Sequence, residues 1–470
     1  MYKYFLIFLI CLIFSACKKI PVQPNIILIV VDDMGWSDLG CYGNDFHETP
    51  NIDRLAESGI RFTNAYATCP VCSPTRASIL TGKYPVNVDI TDWIPGRQFN
   101  RGLEIDKKLK VPEFSHELRL SEVTLAEKLK QAGYLTAHIG KWHLGGEGYL
   151  PLDQGFDLNI AGSQWGSPPS YFYPYGDPEG RHVPHLQEGG EEGEYLTDRL
   201  VSEAISFVSD HVDKPFFLYL PFYTVHIPIQ GKPEIVRKYE EKATMITSRW
   251  KNPEYAAMVE SLDENVGKLI SKLKELNIDD NTFIILTSDN GGLSVFEGKN
   301  TPATTNYPLK AGKGYLYEGG IREPLIIWNP DLIRDGNVSD IPVTATDIFP
   351  TLLDLVGLPP GNLDGVSLIP VIRGQNLIPE RVIYWHYPHY SNQGGTPAGA
   401  VRKGKFKLIE FFDDGHLELY DLEKDISETT DIKEKYPGIV RELHTLLKDW
   451  QVRTHAKMTE PNPIYQLNQE

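Results

Sequence analysis

The chain is poor in cysteine, with five in 470 residues, and it lacks any Cys and His spacing of the zinc-binding type. So few cysteines exclude the disulfide framework of a small secreted scaffold. Cys11 and Cys17 lie close to the N-terminus, which leaves Cys41, Cys69 and Cys72 for the folded part. A bridge between Cys41 and Cys69 is one alternative, and two free buried thiols are the other. Neither alternative explains Cys72.

Positive charge is also scarce, because 46 Lys and Arg stand against 63 Asp and Glu, for a formal net charge of -17. This balance excludes the overall basic footprint of a nucleic-acid-binding protein. An anionic substrate would be repelled by the global field and must be captured by local cations. A hydrophobic content of 41% is ordinary for a folded protein. With 470 residues, the chain is long enough for one large core or for two domains.

The N-terminus has the pattern of a targeting segment. The apolar run from Tyr4 to Phe14 is too short to span a bilayer, but it has the length of a signal-peptide core. Phe14-Ser15-Ala16-Cys17 resembles a bacterial lipobox, with Phe14 where Leu is usual. We therefore predict a lipoprotein signal peptide over 1–16, a linker over 17–23 and a membrane anchor through a lipid on Cys17. Lysines rather than acidic residues follow Cys17, which favours the periplasm over the cell surface.

Short apolar, β-branched runs alternate with amphipathic stretches of helical length, which predicts an α/β sandwich. The apolar runs are continuous, as in a parallel sheet covered on both faces. The predicted strands are Ile26–Val31, Leu135–Ile139, Phe216–Leu220 and Thr282–Thr287. The predicted helices are Pro50–Glu57 with Thr49 as N-cap, Thr124–Gln131, Thr197–Ser209, Tyr255–Leu276 and Asp347–Val356.

The pattern changes after about Pro379, so we predict a catalytic domain over 24–379 and a C-terminal subdomain over 380–470. The predicted elements there are strands Val382–Trp385, Phe406–Ile409 and Leu417–Tyr420, followed by a helix over Pro437–Arg453. They predict a small antiparallel sheet with one helix. The long segments Asn87–Ser121 and Gly145–Gly193 are expected to be surface loops, and loops of such length usually carry function.

Polar side chains follow each predicted strand of the large sheet at its carboxyl end. Ligands of open α/β sheets bind beyond these ends, so the side chains are expected to converge on one edge. Each one alone could be a cap or a turn, but four together indicate a site. They are Asp32 and Asp33, Gly140 to His143, His226, and Ser288 to Gly292.

The candidate site combines oxygen ligands with cations. Asp32, Asp33, Asp289 and Asn290 offer only oxygen, which suits calcium or magnesium, and calcium tolerates irregular carboxylate-rich geometry better. A complementary set could hold a tetrahedral anion and move protons around it. This set is Arg76, Lys141, His143, His226 and Lys313.

The stretch Cys72-Ser73-Pro74-Thr75-Arg76, continued by Ala77-Ser78-Ile79-Leu80-Thr81-Gly82, resembles the signature of the sulfatase family, with Thr75 where Ser is commonest. Further segments match in the family's order and cover almost the whole mature chain. They are Asp32-Asp33-Met34-Gly35-Trp36, Thr49-Pro50-Asn51-Ile52-Asp53, Gly140-Lys141-Trp142-His143, Asp289-Asn290-Gly291, Gly312-Lys313-Gly314 and Glu318-Gly319-Gly320-Ile321-Arg322.

The resemblance implies an alkaline-phosphatase-like α/β fold, with a large mostly parallel sheet between helices and a small C-terminal antiparallel sheet with one helix. It also implies that a maturation enzyme oxidises Cys72 to formylglycine, whose hydrate attacks sulfur with one hydroxyl and expels sulfate with the help of the other. A helix of about Thr75–Leu80 would then point backbone N–H groups at the anion.

The same resemblance implies a role for each site residue. Calcium is expected on Asp32, Asp33, Asp289, Asn290 and an oxygen of modified Cys72. Arg76 would steady the hydrate, and Lys141 would bridge hydrate and sulfate. His143 would be the base that breaks the hemiacetal sulfate. His226 and Lys313 would contact the sulfate oxygens, with His226 as proton donor to the leaving alcohol.

The expected activity is removal of sulfate from a sulfated carbohydrate. Candidate sugar contacts are Asp92, Trp93, Trp165, His386, His389 and Arg402. A phosphonate or phosphodiester hydrolase of the same superfamily is the first alternative. A catalytically silent glycan-binding lipoprotein is the second, although every catalytic position is occupied.

Overall fold

The computed structural model describes residues 23–97, 106–333, 336–375 and 378–467; the predicted signal peptide and most of the predicted linker lie outside these ranges. The strands are β1 Asn25–Val31, β2 Ile60–Tyr66, β3 Leu109–Lys110, β4 Leu135–Ile139, β5 Leu158–Ile160, β6 Phe216–Pro221, β7 Thr282–Ser288, β8 Arg322–Trp328, β9 Asn337–Ser339, β10 Val343–Thr344, β11 Val382–Tyr387, β12 Ala398–Lys403, β13 Phe406–Phe411, β14 Leu417–Asp421 and β15 Glu460–Pro461. The α-helices are α1 Pro50–Ser58, α2 Cys72–Thr81, α3 Pro85–Val88, α4 Leu125–Gln131, α5 Leu196–Asp210, α6 Pro233–Met245, α7 Pro253–Glu275, α8 Glu318–Ile321, α9 Ile348–Leu355, α10 Ile369–Ile372, α11 Pro437–Arg453 and α12 Pro463–Leu467. Within this described part, no helix has the length and apolar character to cross a bilayer.

The large sheet is mostly parallel. Its strand order is β10-β2-β8-β7-β1-β6-β4-β5, with β9 beside β2. β8 runs antiparallel to β2 and β7, and the other pairings are parallel. The central strand β1 is buried along its whole length, because helices cover both faces of the sheet. Ile27, Ile29 and Val31 pack with α1, α5 and α7 on one face, and the alternate side chains of β1 pack with α2, α4 and α9 on the other.

The four predicted strands of this sheet agree with the structure to within one residue at each end, and the predicted helices to within two. Thr124 caps α4 through a reciprocal capping box with Glu127. Thr49 does occupy the N-cap position of α1, but its hydroxyl donates to the Asp53 carboxylate rather than capping the backbone. The helix that follows the Cys72 motif is longer than predicted, because α2 already begins at Cys72.

A second, antiparallel sheet follows in the order β11-β12-β13-β14. One face packs under α11 through Val401, Leu408 and Leu447, and the opposite face packs against the large domain. Trp385 on that second face donates from Nε1 to the Ala67 carbonyl at 2.8 Å. The predicted fold class is therefore confirmed, while the boundary between residues 379 and 380 stays a prediction.

Buried charges join the two sheets. Lys407 on β13 lies 2.9 Å from both Glu318 on α8 and Glu428, and all three side chains are buried. Glu318 also pairs with Arg322 at 2.6 Å. Burial raises the pKa of Glu428 to about 7, whereas Lys407 and Arg322 outweigh burial at Glu318 and hold its pKa below the usual range.

Lys407→Met is expected to lower the free energy of unfolding by about 3 kcal/mol, because it leaves two buried carboxylates without their shared cation. A carboxyl whose pKa is raised by folding favours the folded state at low pH, and this contribution is lost as pH rises through the folded pKa. The loss in free energy of unfolding caused by Lys407→Met should therefore be larger above pH ~7, where both carboxyl groups are ionised, than near pH ~5. Urea denaturation at both pH values measures this loss of stability.

Lys403→Met is the control, because it removes an exposed ion pair between Lys403 of the same sheet and Glu442 of α11. It should change the free energy of unfolding by less than about 0.5 kcal/mol. An equal loss in both variants would contradict the prediction.

Candidate active site

The carboxyl ends of β1 and β7 bring two pairs of oxygen-bearing side chains together. The two strands are parallel neighbours with Val31 opposite Ser288, so Asp32-Asp33 and Asp289-Asn290 leave the sheet side by side. The Asp33 N–H donates to Asp289 Oδ1 at 3.2 Å, and Asn290 Nδ2 donates to Asp33 Oδ1 at 2.8 Å. All four side chains are buried.

Helix α2 inserts Cys72 and Arg76 above this cluster. The Nε and Nη2 atoms of Arg76 lie 2.8 and 2.7 Å from Asp289 Oδ2, and Nη2 lies 3.6 Å from Asp32 Oδ1. Burial alone would lower the pKa of Arg76, but the two carboxylates outweigh it and raise the pKa. The guanidinium thus stays charged and fixes the orientation of Asp289.

Two lysines contact the two carboxylates that follow β1. Lys141 Nζ lies 2.7 Å from Asp32 Oδ2, and Lys313 Nζ lies 2.7 Å from Asp33 Oδ2. Burial raises the pKa of Asp32, whereas at Asp33 the charges of Lys313 and Lys141 outweigh burial and hold the pKa below its usual range. Gly140 is required before Lys141, because a Cβ there would lie 1.9 Å from the Pro221 carbonyl oxygen and its φ is +132°.

His143 presents an unprotonated nitrogen to residue 72. Its Nε2 lies 2.6 Å from the Ile94 carbonyl oxygen, which can only accept a hydrogen bond, so we assign the proton to Nε2. The Nδ1 lone pair then faces Cys72 Sγ at 3.3 Å. Burial and the charge of Lys141 lower the pKa of His143, while burial raises the pKa of the Cys72 thiol.

His226 follows β6, the strand between β1 and β4, and contacts Lys313 of the same site. Its Nδ1 donates to the Ile227 carbonyl at 2.9 Å, which leaves Nε2 to accept from Lys313 Nζ at 3.0 Å. Nε2 also lies 3.6 Å from Asp33 Oδ2. Burial and the Lys313 ammonium lower the pKa of His226 to about 3.

The cluster fits a hard divalent cation. Asp32 Oδ1 and Asn290 Oδ1 are buried and have no hydrogen-bond partner within the described part of the chain, which is costly unless another group satisfies them. Ligand atoms of Asp32, Asp33 and His226 all lie within 4.8 Å of one another. The carboxylate and amide oxygen atoms are better placed as ligands than the His226 nitrogen, because that nitrogen accepts a hydrogen bond from Lys313.

A cavity of about 600 Å³ opens above the cluster, with Cys72, His143, His226 and Lys313 in its wall. Trp93 and Trp165, two of the predicted sugar contacts, also line it. The sequence reasoning did not single out several further lining residues, although the length of the Gly145–Gly193 loop was a signal for three of them. The missed polar residues are Gln164, Ser167, Arg181, Glu297, Asn392 and Gln393.

Four other predicted sugar contacts do not line this cavity. His386 neighbours Trp385 on β11, so its side chain points to the other face of the small sheet, where Gln451 of α11 contacts it. Arg402 is bound to Tyr66 and Gly404. His389 contacts Thr91, and Asp92 accepts from the Tyr387 hydroxyl at 3.0 Å. Cys41 and Cys69 are free thiols, as the second alternative expected, but only Cys69 is buried and Cys41 is partly exposed.

Comparison with known proteins defines the class. The profile of the Sulfatase family matches residues 24–358, and that of the N-sulphoglucosamine sulphohydrolase C-terminal region matches residues 311–453. The chain belongs to the sulfatase family and is a sulfuric ester hydrolase. The predicted family and enzyme class are thereby confirmed.

Individual relatives are similar over most of the chain. N-acetylgalactosamine-6-sulfatase of Canis lupus familiaris is 33% identical over 82% of this chain and 72% of its own length. A sulfatase of Formosa agariphila is 31% identical over 97% of this chain and 93% of its own. The crystal structure of Ps i-CgsB in complex with k-i-k-neocarrahexaose superposes with a TM-score of 0.74 at 31% identity, covering 91% of this chain and 92% of that one.

Proposed function

We propose that the protein removes sulfate from a sulfated carbohydrate and that residue 72, oxidised to formylglycine, carries the reaction. The observation that carries the proposal is the position of Cys72 Sγ, in the wall of the 600 Å³ cavity and 3.3 Å from a histidine nitrogen with a free lone pair. The names of the Canis relative and of the neocarrahexaose complex support a sugar substrate.

Formylglycine, when formed and hydrated, supplies a nucleophilic oxygen for sulfur and a second hydroxyl that allows sulfate to leave, so that water and sulfate ester give alcohol and hydrogen sulfate. Cys72 Sγ marks the place of that oxygen at the N-terminus of α2, where backbone N–H groups favour an anion. His143 Nδ1 is placed to accept a proton from residue 72 in the step that frees sulfate. Lys141, Lys313 and Arg76 supply the positive charge that the chain as a whole lacks.

The leaving alcohol needs a proton, and the pair of Lys313 and His226 is placed to supply it. Lys313 Nζ donates to His226 Nε2 at 3.0 Å, and both residues line the cavity. To act as the donor, the His226 ring must carry a proton on Nε2, and in that state Nε2 donates to the leaving oxygen instead of accepting from Lys313. Asp33 at 3.6 Å would stabilise the protonated ring.

Comparison of an aryl sulfate with an aryl phosphodiester and an aryl phosphonate tests the proposal. The protein is produced together with a formylglycine-generating enzyme, and initial rates are measured on all three esters. We expect the sulfate to be cleaved fastest. Faster cleavage of the phosphodiester or phosphonate would replace the proposed reaction by the first alternative. An unmodified Cys72 in peptide mass spectra, with no turnover of any ester, would support the silent glycan-binding alternative.

We propose that Asp32, Asp33, Asp289, Asn290 and an oxygen of modified residue 72 hold calcium, which would neutralise the adjacent carboxylates and polarise the sulfate. Removal by a chelator should abolish turnover and lower Tm. Calcium at 100 times its Kd should restore about 2.7 kcal/mol of stability, and magnesium should restore less. An unchanged Tm after complete chelation would contradict the assignment, whatever happens to the activity.

The N-terminal segment gives the proposed location. Residues 1–16 would direct export, and a lipid on Cys17 would hold the enzyme at the membrane, facing the periplasm. Fractionation of cells that express the full chain or Cys17→Ala tests this. The full chain should be recovered with membranes, and an identical distribution of both proteins would refute the anchor.

A further inference from the structure

A second cavity of about 440 Å³ adjoins the active-site cavity. The two share Ser167, Arg181 and Glu297 in their walls, so together they form one groove that leads away from residue 72. A single sugar unit that places its sulfate at Cys72 would not need the second cavity. A longer ligand could extend into it.

Arg181 stands at the junction of the two cavities with part of its hydrogen-bonding capacity unused. Its Nε donates to Asp177 Oδ2 at 3.2 Å, which fixes one edge of the guanidinium. Its two Nη atoms make no hydrogen bond within the described part of the chain. An arginine that is held along one edge and open along the other can bind a carboxylate or a sulfate through paired N–H donors.

Trp165 lines the active-site cavity beside Arg181. The Arg181 guanidinium carbon lies 5.5 Å from the centre of the Trp165 ring, and the tryptophan is 45% exposed although it is a large apolar side chain. Because Trp165 lines the active-site cavity, its exposed surface is available to a ligand there. A sugar ring could lie against this face while its charged substituent meets the arginine.

The rest of the second cavity combines apolar side chains, such as Phe172 and Ile229, with charged groups that are close to balance. Lys299 adds a second cation, and Glu254 and Glu297 add two carboxylates. These carboxylates already accept hydrogen bonds, from the Gly231 N–H at 2.9 Å and from Gln393 Nε2 at 2.6 Å. The mixture suits the hydroxyl groups of a sugar better than a purely anionic or apolar ligand.

We propose that the second cavity binds the sugar unit next to the sulfated one, and that Arg181 recognises an anionic substituent on that neighbouring unit. The inference rests on the proposed function and names its substrate class. The substrate is an oligosaccharide of at least two units that carries a second anionic group, either sulfate or carboxylate.

The test compares kcat/KM of the matured full-length enzyme on four probes. They are an aryl sulfate, N-acetylgalactosamine-6-sulfate, chondroitin 6-sulfate oligosaccharides, which place a carboxylate on the neighbouring unit, and iota-carrageenan oligosaccharides, which place a sulfate there. At least one oligosaccharide should exceed the sulfated monosaccharide by about tenfold or more, mainly through KM. The better oligosaccharide identifies the source of the anionic group.

Arg181→Ala should remove most of that preference, and Arg181→Lys should retain part of it because the charge remains. Asp177→Asn keeps the guanidinium while it weakens the loop contact, so it separates loss of the cation from loss of loop structure. Arg441→Ala, which removes an exposed positive charge from α11, should leave all four rates unchanged.

Three outcomes would overturn the inference. The first is equal kcat/KM for the monosaccharide and every oligosaccharide, and the second is an Arg181→Ala variant that slows the aryl sulfate and the oligosaccharide by the same factor. The third is cleavage of the aryl sulfate alone, which would leave the proposed chemistry standing without the subsite. Failure to cleave any sulfate ester would instead overturn the proposed function, and the inference with it.

Discussion

Cys72→Ala is expected to lower the rate of sulfate ester hydrolysis by at least about 10⁴-fold, because it removes the atom from which the nucleophile is made. The fold should remain, since the side chain lies in the wall of a cavity and its thiol contacts His143 rather than the apolar core. We expect the free energy of unfolding to change by about 1 kcal/mol or less. Steady-state kinetics on an aryl sulfate and thermal unfolding measure the two quantities.

Cys69→Ala is the matched control for this variant. Cys69 lies three residues earlier, is buried in the apolar cluster between the large domain and the small sheet, and its thiol lies 3.9 Å from the Thr91 carbonyl oxygen. Its replacement should cost about 1 kcal/mol of stability or more and leave turnover close to that of the parent protein. If Cys72→Ala instead unfolded the protein or kept its activity, residue 72 would be a packing residue and the mechanism would fail.

His143→Ala is expected to lower kcat by about 10²- to 10⁴-fold, the usual contribution of a positioned general base. The loss should fall on the release of sulfate, because Nδ1 of His143 is the nitrogen that faces residue 72. Rapid mixing should therefore show a burst of about one equivalent of alcohol per site, followed by slow release of sulfate.

His226→Ala gives the contrasting result. If the pair of His226 and Lys313 protonates the leaving alcohol, removal of His226 slows the release of the alcohol. The burst of alcohol is then abolished. A leaving group of low pKa should then restore much of the rate in His226→Ala, but not in His143→Ala. Equal bursts in both variants would show that the two histidines do not divide the steps as proposed.

The buried ion pairs around Glu318 explain why the sequence pattern failed to predict two of the strands. The prediction missed β8, whose first residues Arg322 and Glu323 are charged although the strand is buried throughout. A hydrophobic pattern does not detect such a strand, because Arg322 is compensated by Glu318, which lies on another element. The central strand β12 was missed as well, and it ends in Arg402 and Lys403.

The sequence by itself determined the α/β architecture and the identity of the polar residues at the strand ends. A strand whose sequence is apolar throughout, such as β1, is expected to be buried on both faces of the sheet. Parallel strands all end at the same edge of the sheet, so the polar residues that follow them must meet there. The tertiary structure alone decided which nitrogen of His143 faces residue 72, and that Arg181 meets the active-site cavity. It also decided that His386 turns away from the cavity, because these facts depend on side-chain partners distant in sequence and on the face to which each strand residue points.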